Sequence, residues 1–237
     1  MDYLLRDSLY CGVTYGTYDL NRFVSTLIAY KDVNEKKLEL AITSGGIQAF
    51  EEFVLARYFM FIQVYFHKTR RHFDRVLVNA MKDILPYGKF PTEIEEYLHW
   101  DDTHVIQKMK ESNTLSTAQY IERITMSCVY ESPAHADTGE MKHIRSLLKG
   151  LKDKFPNTSF YLDEADKNAH KLFPSGYSRG DSDNGVVRVI DYRTGEAKNI
   201  LDESLILNGV IKPIYIFRIY TPASKDVVES IKAYIRD

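Results

Sequence analysis

The sequence predicts a mostly α-helical N-terminal part followed by a small α/β subdomain holding an antiparallel hairpin. Three observations carry this prediction. A helical pattern runs from Ile47 to about Leu85, and shorter ones follow as far as Met126. Beyond Gly139, the stretches Ser159 to Leu162, Val186 to Tyr192 and Ile214 to Tyr220 are β-branched and aromatic-rich, the composition of strands. Thr194-Gly195 supplies a hairpin turn. The segment Glu131-Ser-Pro-Ala-His-Ala-Asp-Thr-Gly139 marks the change of character, so domains are expected over 1–130 and 138–237.

Met1 to Tyr10 reads as the end of a helix, because the first residue is already in the apolar pattern and no N-cap precedes it. Cys11-Gly12 stops it and Tyr15-Gly16-Thr17 turns the chain. Asp19 looks like the N-cap of a helix reaching Tyr30. Leu38 to Ile42 is a short strand candidate, and Ser44-Gly45-Gly46 opens the long helix. From Phe53 to Phe66 only Arg57 and Gln63 are clearly polar. A helix apolar on every side is buried or lies in a membrane. This run of 14 residues is shorter than the roughly 20 that a span needs, and Arg57 interrupts it, so a buried central helix is expected. After His67 the chain turns basic at Lys68, Arg70, Arg71 and Arg75.

Pro86-Tyr87-Gly88 ends the long helix. Glu93 to Trp100, Asp102 to Glu111 and Ser116 to Met126 read as shorter helices, and Glu140 to Lys154 as another beyond the boundary. The acidic Leu162-Asp-Glu-Ala-Asp166 reads as a turn into a helix. Lys225 to Ile235 closes the chain as an amphipathic helix with Val227, Val228, Ile231, Tyr234 and Ile235 on one face.

Composition sets bounds. An apolar share of 44% and a charged share of 27% describe an ordinary globular mixture, and 237 residues can bury a sizeable core. The net charge of −2 argues against a general nucleic-acid binder. Cys11 and Cys128 make no disulfide framework, and the first residues are charged rather than leader-like, so a cytoplasmic setting without membrane contact is expected.

Several short motifs stand in order along the first 112 residues: Met1-Asp-Tyr-Leu-Leu-Arg-Asp7, Cys11-Gly-Val, Leu40-Ala-Ile, Gly46-Ile47, Leu55-Ala-Arg-Tyr58, Gln63-Val-Tyr-Phe-His-Lys68 and Leu98-His-Trp-Asp-Asp102. Together, and with Arg218-Ile-Tyr-Thr-Pro222, they resemble the HD-domain phosphohydrolases, specifically the dNTP triphosphohydrolases and bacterial relatives of the SAM- and HD-domain dNTPase. The resemblance implies that the N-terminal part is the C-terminal half of an HD helical core. In that family two histidines and two aspartates hold a divalent metal, and the last of these stands two positions before the residue matching Met1. The expectation is therefore a chain with no metal ligand and no catalytic residue of its own, although a divalent metal is expected in the full-length family.

The same resemblance assigns substrate-binding roles to Tyr3, Asp7, Arg57 and Tyr65. Tyr3 and Asp7 are four apart on one helical face. An aromatic ring can wall off a ribose with hydrogen at C2′, and a carboxylate can accept from a 3′-hydroxyl. Arg57 and Tyr65 match residues contacting triphosphate and sugar, and with Phe61 and Lys68 they read as one broad face at spacings of 4, 8 and 11. Arg22 and Lys68 resemble phosphate-contacting or regulatory nucleotide positions. Thr43 and Gly45 depart from basic residues there, and Phe66 departs from a polar amide. Plainer readings stand beside these: Arg57 pairing with Glu51, Glu52 or another carboxylate, Tyr3 and Tyr65 as core aromatics among 17 tyrosines, and Lys68 to Arg75 as a solvated face.

His99, Asp101, Asp102 and His104 look like a metal cluster, but the two histidines are five apart rather than three or four. Asp102 reads better as an N-cap. The expected function is the C-terminal part of a dNTP triphosphohydrolase, holding part of the nucleotide pocket and inactive alone. The alternative is a non-catalytic oligomerisation or nucleotide-binding regulatory module. Expected partners are a deoxynucleotide and further copies of the chain.

Overall fold

A computed structural model describes residues 2–32, 37–167, 187–210 and 213–236. Helix α1 spans Asp2–Cys11 and α2 spans Leu20–Ser25, with Asp19 Oδ1 accepting from the Arg22 amide at 2.8 Å as its N-cap. The helix expected to reach Tyr30 thus stops five residues early. Thr26 closes it: its amide and hydroxyl both donate to the Phe23 carbonyl, at 3.1 and 2.8 Å. Strand β1, Leu27–Asp32, then pairs antiparallel with β2, Lys37–Thr43, in the register Leu27 to Ile42. The ladder decides that segment, and the partner lies too far along the chain for local periodicity to report it.

The long helix is also divided. Helix α3 covers Ile47–Met60, Phe61–Tyr65 forms a π-helical turn, and α4 restarts over Lys68–Ile84. His67 takes an extended backbone (φ −57°, ψ 135°) and caps α4, its Nδ1 accepting from the Thr69 amide at 3.3 Å. Neither Gly nor Pro marks this break. Lys68 therefore does not continue the helical face of Arg57, Phe61 and Tyr65, as the spacing suggested.

Helices α5 (Ile94–Tyr97), α6 (Asp102–Glu111) and α7 (Leu115–Ile121) follow, α7 stopping short of the expected Met126, and then comes strand β3, Ser127–Glu131, which the sequence had not marked. Helix α8 spans Thr138–Lys154 behind an Asp137 N-cap. Strand β4, Tyr161–Lys167, replaces the expected turn into a helix at Leu162 to Asp166. Strands β5 (Arg188–Ile190) and β6 (Ala197–Asn199) form the antiparallel hairpin, with Gly195 at φ +72° in its turn. Val189 and Ile190 are both buried, so each face of the hairpin is covered, while Val186 lies outside the described residues. Helices α9 (Ile200–Glu203) and α10 (Leu205–Val210), strand β7 (Ile214–Thr221) and helix α11 (Lys225–Arg236) complete the chain.

The chain divides into two interleaved compact units, Met1–Tyr65 with Asp166–Tyr215, and Phe66–Ala165 with Ile216–Asp237. In the first, the sheet runs β1-β2-β5-β6, and β2 and β5 are parallel. Its core holds the stacked rings of Phe23 and Phe53, 5.1 Å apart, with Tyr18 edge-on to Phe53. Leu4, Val54 and Met60 are fully buried. In the second unit the sheet runs β3-β7-β4. Ile144, Leu151, Ile219 and Ile231 form its fully buried core, which places the predicted face of α11 inward. None of the described helices is long and apolar enough to cross a membrane.

Candidate nucleotide-binding site

Helix α1 packs on α3, anchored by fully buried Leu4. This brings together the four residues named from the sequence. Tyr65 Oη donates to Asp7 Oδ2 at 2.6 Å. The Arg57 guanidinium lies 5.7 Å from the Tyr3 ring centroid and 4.8 Å from that of Phe61. Phe61 and Tyr65 meet edge-to-face at 5.0 Å. The π turn is what permits this: widening the helix turns Tyr65 towards α1 while Phe61 stays against Arg57.

The electrostatics follow from burial. Desolvation lowers the Arg57 pKa from its ordinary value, opposed by Tyr65. An arginine stays charged through such a shift, so the cluster holds a partly desolvated cation beside two aromatic faces. Burial, then the bond to Asp7, raises the Tyr65 phenol, which therefore stays a donor. Glu51 and Glu52, the carboxylates offered as alternatives for Arg57, have other partners. Glu51 accepts from the Ser204 hydroxyl at 2.5 Å and Glu52 from the Asp19 amide at 3.0 Å.

Arg22 and Lys68 stand elsewhere. Arg22 Nη2 donates to the Gly45 carbonyl at 2.9 Å, ahead of α3 and so about 18 Å along that helix from Arg57. Lys68, in the second unit, lines a polar pocket of about 200 Å³ with Thr69, His72, Ser127, Tyr220 and Lys232. Sequence reasoning missed Lys232, because it lies in the last helix with no local motif. It also missed Asp163, which grips Arg71 through two bonds of 2.6 and 3.1 Å. That pair removes Arg71 from the face read as solvated.

His72 sits in this pocket, 4% exposed, with Nε2 3.3 Å from the Ile124 carbonyl. Burial, and secondarily Arg75, lower its pKa below the ordinary 6.5. The unfolded chain therefore binds the proton more tightly than the folded one. The stabilisation from His72 is complete above about pH 6.5 and is lost as pH falls from there through the folded value. In thermal melts between pH 7.5 and 5, His72→Gln is expected to lose less stability than the parent. Parallel pH profiles would contradict this.

The acidic and histidine group at 99–104 is accounted for differently. Asp101, not Asp102, caps α6, its Oδ1 accepting from the His104 amide at 2.7 Å, and His99 Nδ1 lies 2.5 Å from the Glu95 carbonyl. Among the described residues no three His, Cys, Asp or Glu side chains are gathered as they would be to hold a metal ion.

Comparison with known proteins bears on this geometry. A family model described as HD associated region matches residues 18–153. An uncharacterized protein of Methanocaldococcus jannaschii is 30% identical over 132 residues, covering 56% of this chain and 28% of that protein. The uncharacterized protein YwfO of Bacillus subtilis is 35% identical over 81 residues, 34% of this chain and 17% of its own length. A crystal structure of a hypothetical protein from Aquifex aeolicus matches with TM-score 0.75 and 26% identity, over 99% of this chain and 56% of that one. A phosphohydrolase from Bacteroides thetaiotaomicron matches with TM-score 0.60 and 21% identity, over 94% of this chain and 60% of that one, a likeness of fold. The chain thus spans under a third of the curated relatives and between half and two thirds of the two structures.

Proposed function

The chain belongs to the HD associated region family, and from that premise we propose that it carries part of the nucleotide pocket of an HD-superfamily deoxynucleoside triphosphate triphosphohydrolase. The observation that carries the reading is the meeting of α1 with the π turn, where Tyr65 holds Asp7 and Arg57 lies beside Tyr3. In this reading the Tyr3 ring walls the C2′ side of the sugar. Asp7 Oδ1 accepts from the 3′-hydroxyl while Oδ2 is held by Tyr65. Arg57 donates to phosphate oxygens, where a charge-assisted bond is strongest. Lys68, with Lys232 beside it, and Arg22 are assigned to further phosphate or regulatory nucleotide contacts. The metal and the attacking water belong to residues beyond those described, so the chain alone should release no triphosphate from dGTP with Mg²⁺ or Mn²⁺. Turnover above a mock preparation would overturn that. The binding role is tested by titrating dGTP and GTP against the parent and Tyr65→Phe. Preference for dGTP that weakens in the variant supports it, and equal binding of both nucleotides to both proteins refutes it.

A second reading, a non-catalytic oligomerisation module, draws on the outer side of α1, where Leu9 and Tyr10 are 77% and 82% exposed. Apolar patches of this kind favour burial against another copy. A homo-oligomer is the expected result in sedimentation at micromolar concentration, and a monomer that binds no apolar dye is the contrary one.

A further inference from the structure

The second unit contains two adjoining cavities that the nucleotide reading does not use. One, of about 520 Å³, is lined by Phe73, Ile106, Tyr120, Ile121 and Arg123. The other, of about 480 Å³, shares Ile106 and Tyr120 and continues past Met81, Met109 and Trp100 to Asp102. Each falls within the range of small-molecule sites, about 300–1,000 Å³. Their walls are apolar and aromatic, with one charged side chain in each. Arg123 is the cation of the first and Asp102 the anion of the second.

Arg123 is held unusually. It follows the C-terminus of α7 at φ +55°, where the Ile124 amide reaches back to the Gln119 carbonyl at 3.0 Å. Glycine takes that position without strain, and an L side chain rarely does. Strain of this kind collects at functional positions. Among the described residues the Arg123 guanidinium makes no hydrogen bond or ion pair, and it stands exposed at the rim of a cavity otherwise walled by apolar groups. A cation so placed suits an anionic head whose body fills the cavity.

We propose that these two cavities, which share the Ile106 and Tyr120 side chains, together bind an amphipathic organic carboxylate. Its head sits on Arg123 and its apolar body runs past Tyr120 and Ile106 towards Met109 and Trp100. Asp102 fixes the direction, since a carboxylate entering head-first at the Trp100 end would meet a like charge. Its residues belong to the second unit and those of the nucleotide cluster to the first.

Trp100 is the single tryptophan of the chain, so its emission reports occupancy directly. Decanoate, kept below its micelle concentration, should change Trp100 fluorescence saturably. Arg123→Gln should weaken that response about tenfold or more, the loss expected for a charge-assisted hydrogen bond. Arg123→Lys should retain most of it, and decylammonium should bind more weakly than decanoate. An absent Trp100 response in the folded parent, an unchanged affinity in Arg123→Gln, or stronger binding of the ammonium would each overturn the proposal.

Discussion

Replacing Glu131 by alanine is expected to destabilise the second unit by about 3 kcal/mol, the lower end for stranding a buried charge. Glu131 and Arg218 are directly opposite across β3 and β7. Arg218 Nε and Nη2 donate to the Glu131 carboxylate at 3.0 and 3.4 Å. The two ends of the pair differ in exposure: the arginine side chain is 2% exposed and the glutamate 45%. Removing the glutamate leaves a guanidinium in the core without its counter-charge, and Nη1 is already buried without a hydrogen bond. Removing the arginine leaves a carboxylate that can turn to water. Arg218→Met should therefore cost clearly less than Glu131→Ala when urea midpoints are compared at equal slope. The reverse order would show that the packing of the arginine stem outweighs its charge.

Gly16→Ala is the second large effect. A Cβ at Gly16 would stand 2.6 Å from the Leu4 carbonyl oxygen and 3.0 Å from both Met60 Cγ and Ser8 Cβ. The first contact is with helix backbone, which cannot swing aside as a side chain can. Helix α1 must lift from α3, carrying Tyr3 and Asp7 away from Arg57 and Tyr65. The expected cost is about 2–3 kcal/mol, as for overpacking a filled core, together with loss of nucleotide binding. Gly12→Ala is the control: Gly12 has φ +65° but nothing within 4 Å of a Cβ, so it should cost only about 1–2 kcal/mol of left-handed strain and leave binding intact. If Gly16→Ala proves the milder change in chemical denaturation, the α1–α3 packing described above is wrong.

The contrast between these positions bears on what the amino-acid sequence could reveal. Elements with their own local signals were legible: the Asp19 cap, α6, α8, the Gly195 turn and the apolar face of α11. Those decided by distant partners were not. Strand β1 lost a helical appearance to its ladder with β2, and Leu162 to Asp166 became a strand beside β7. The break at Phe66-His67 carries no Gly or Pro, so the periodic pattern ran straight through it. In the candidate site, Tyr3 and Asp7 were legible as an i, i+4 pair and Arg57 as a polar residue in an apolar helix. A regular helix would set Tyr65 about 80° around from Arg57. The contact of Tyr65 with Phe61 is an i, i+4 pair that the spacing already implied, whereas its bond to Asp7 comes at the π turn, which no local pattern announces.

The central claim is that Arg57, Tyr3, Asp7 and Tyr65 form a nucleotide-binding surface, and isothermal titration of dGTP into the parent and Arg57→Ala tests it most directly. The account predicts measurable binding to the parent, weakened about tenfold or more in the variant by loss of a charge-assisted phosphate contact. No binding to the folded parent, or equal affinity in the two proteins, would contradict it.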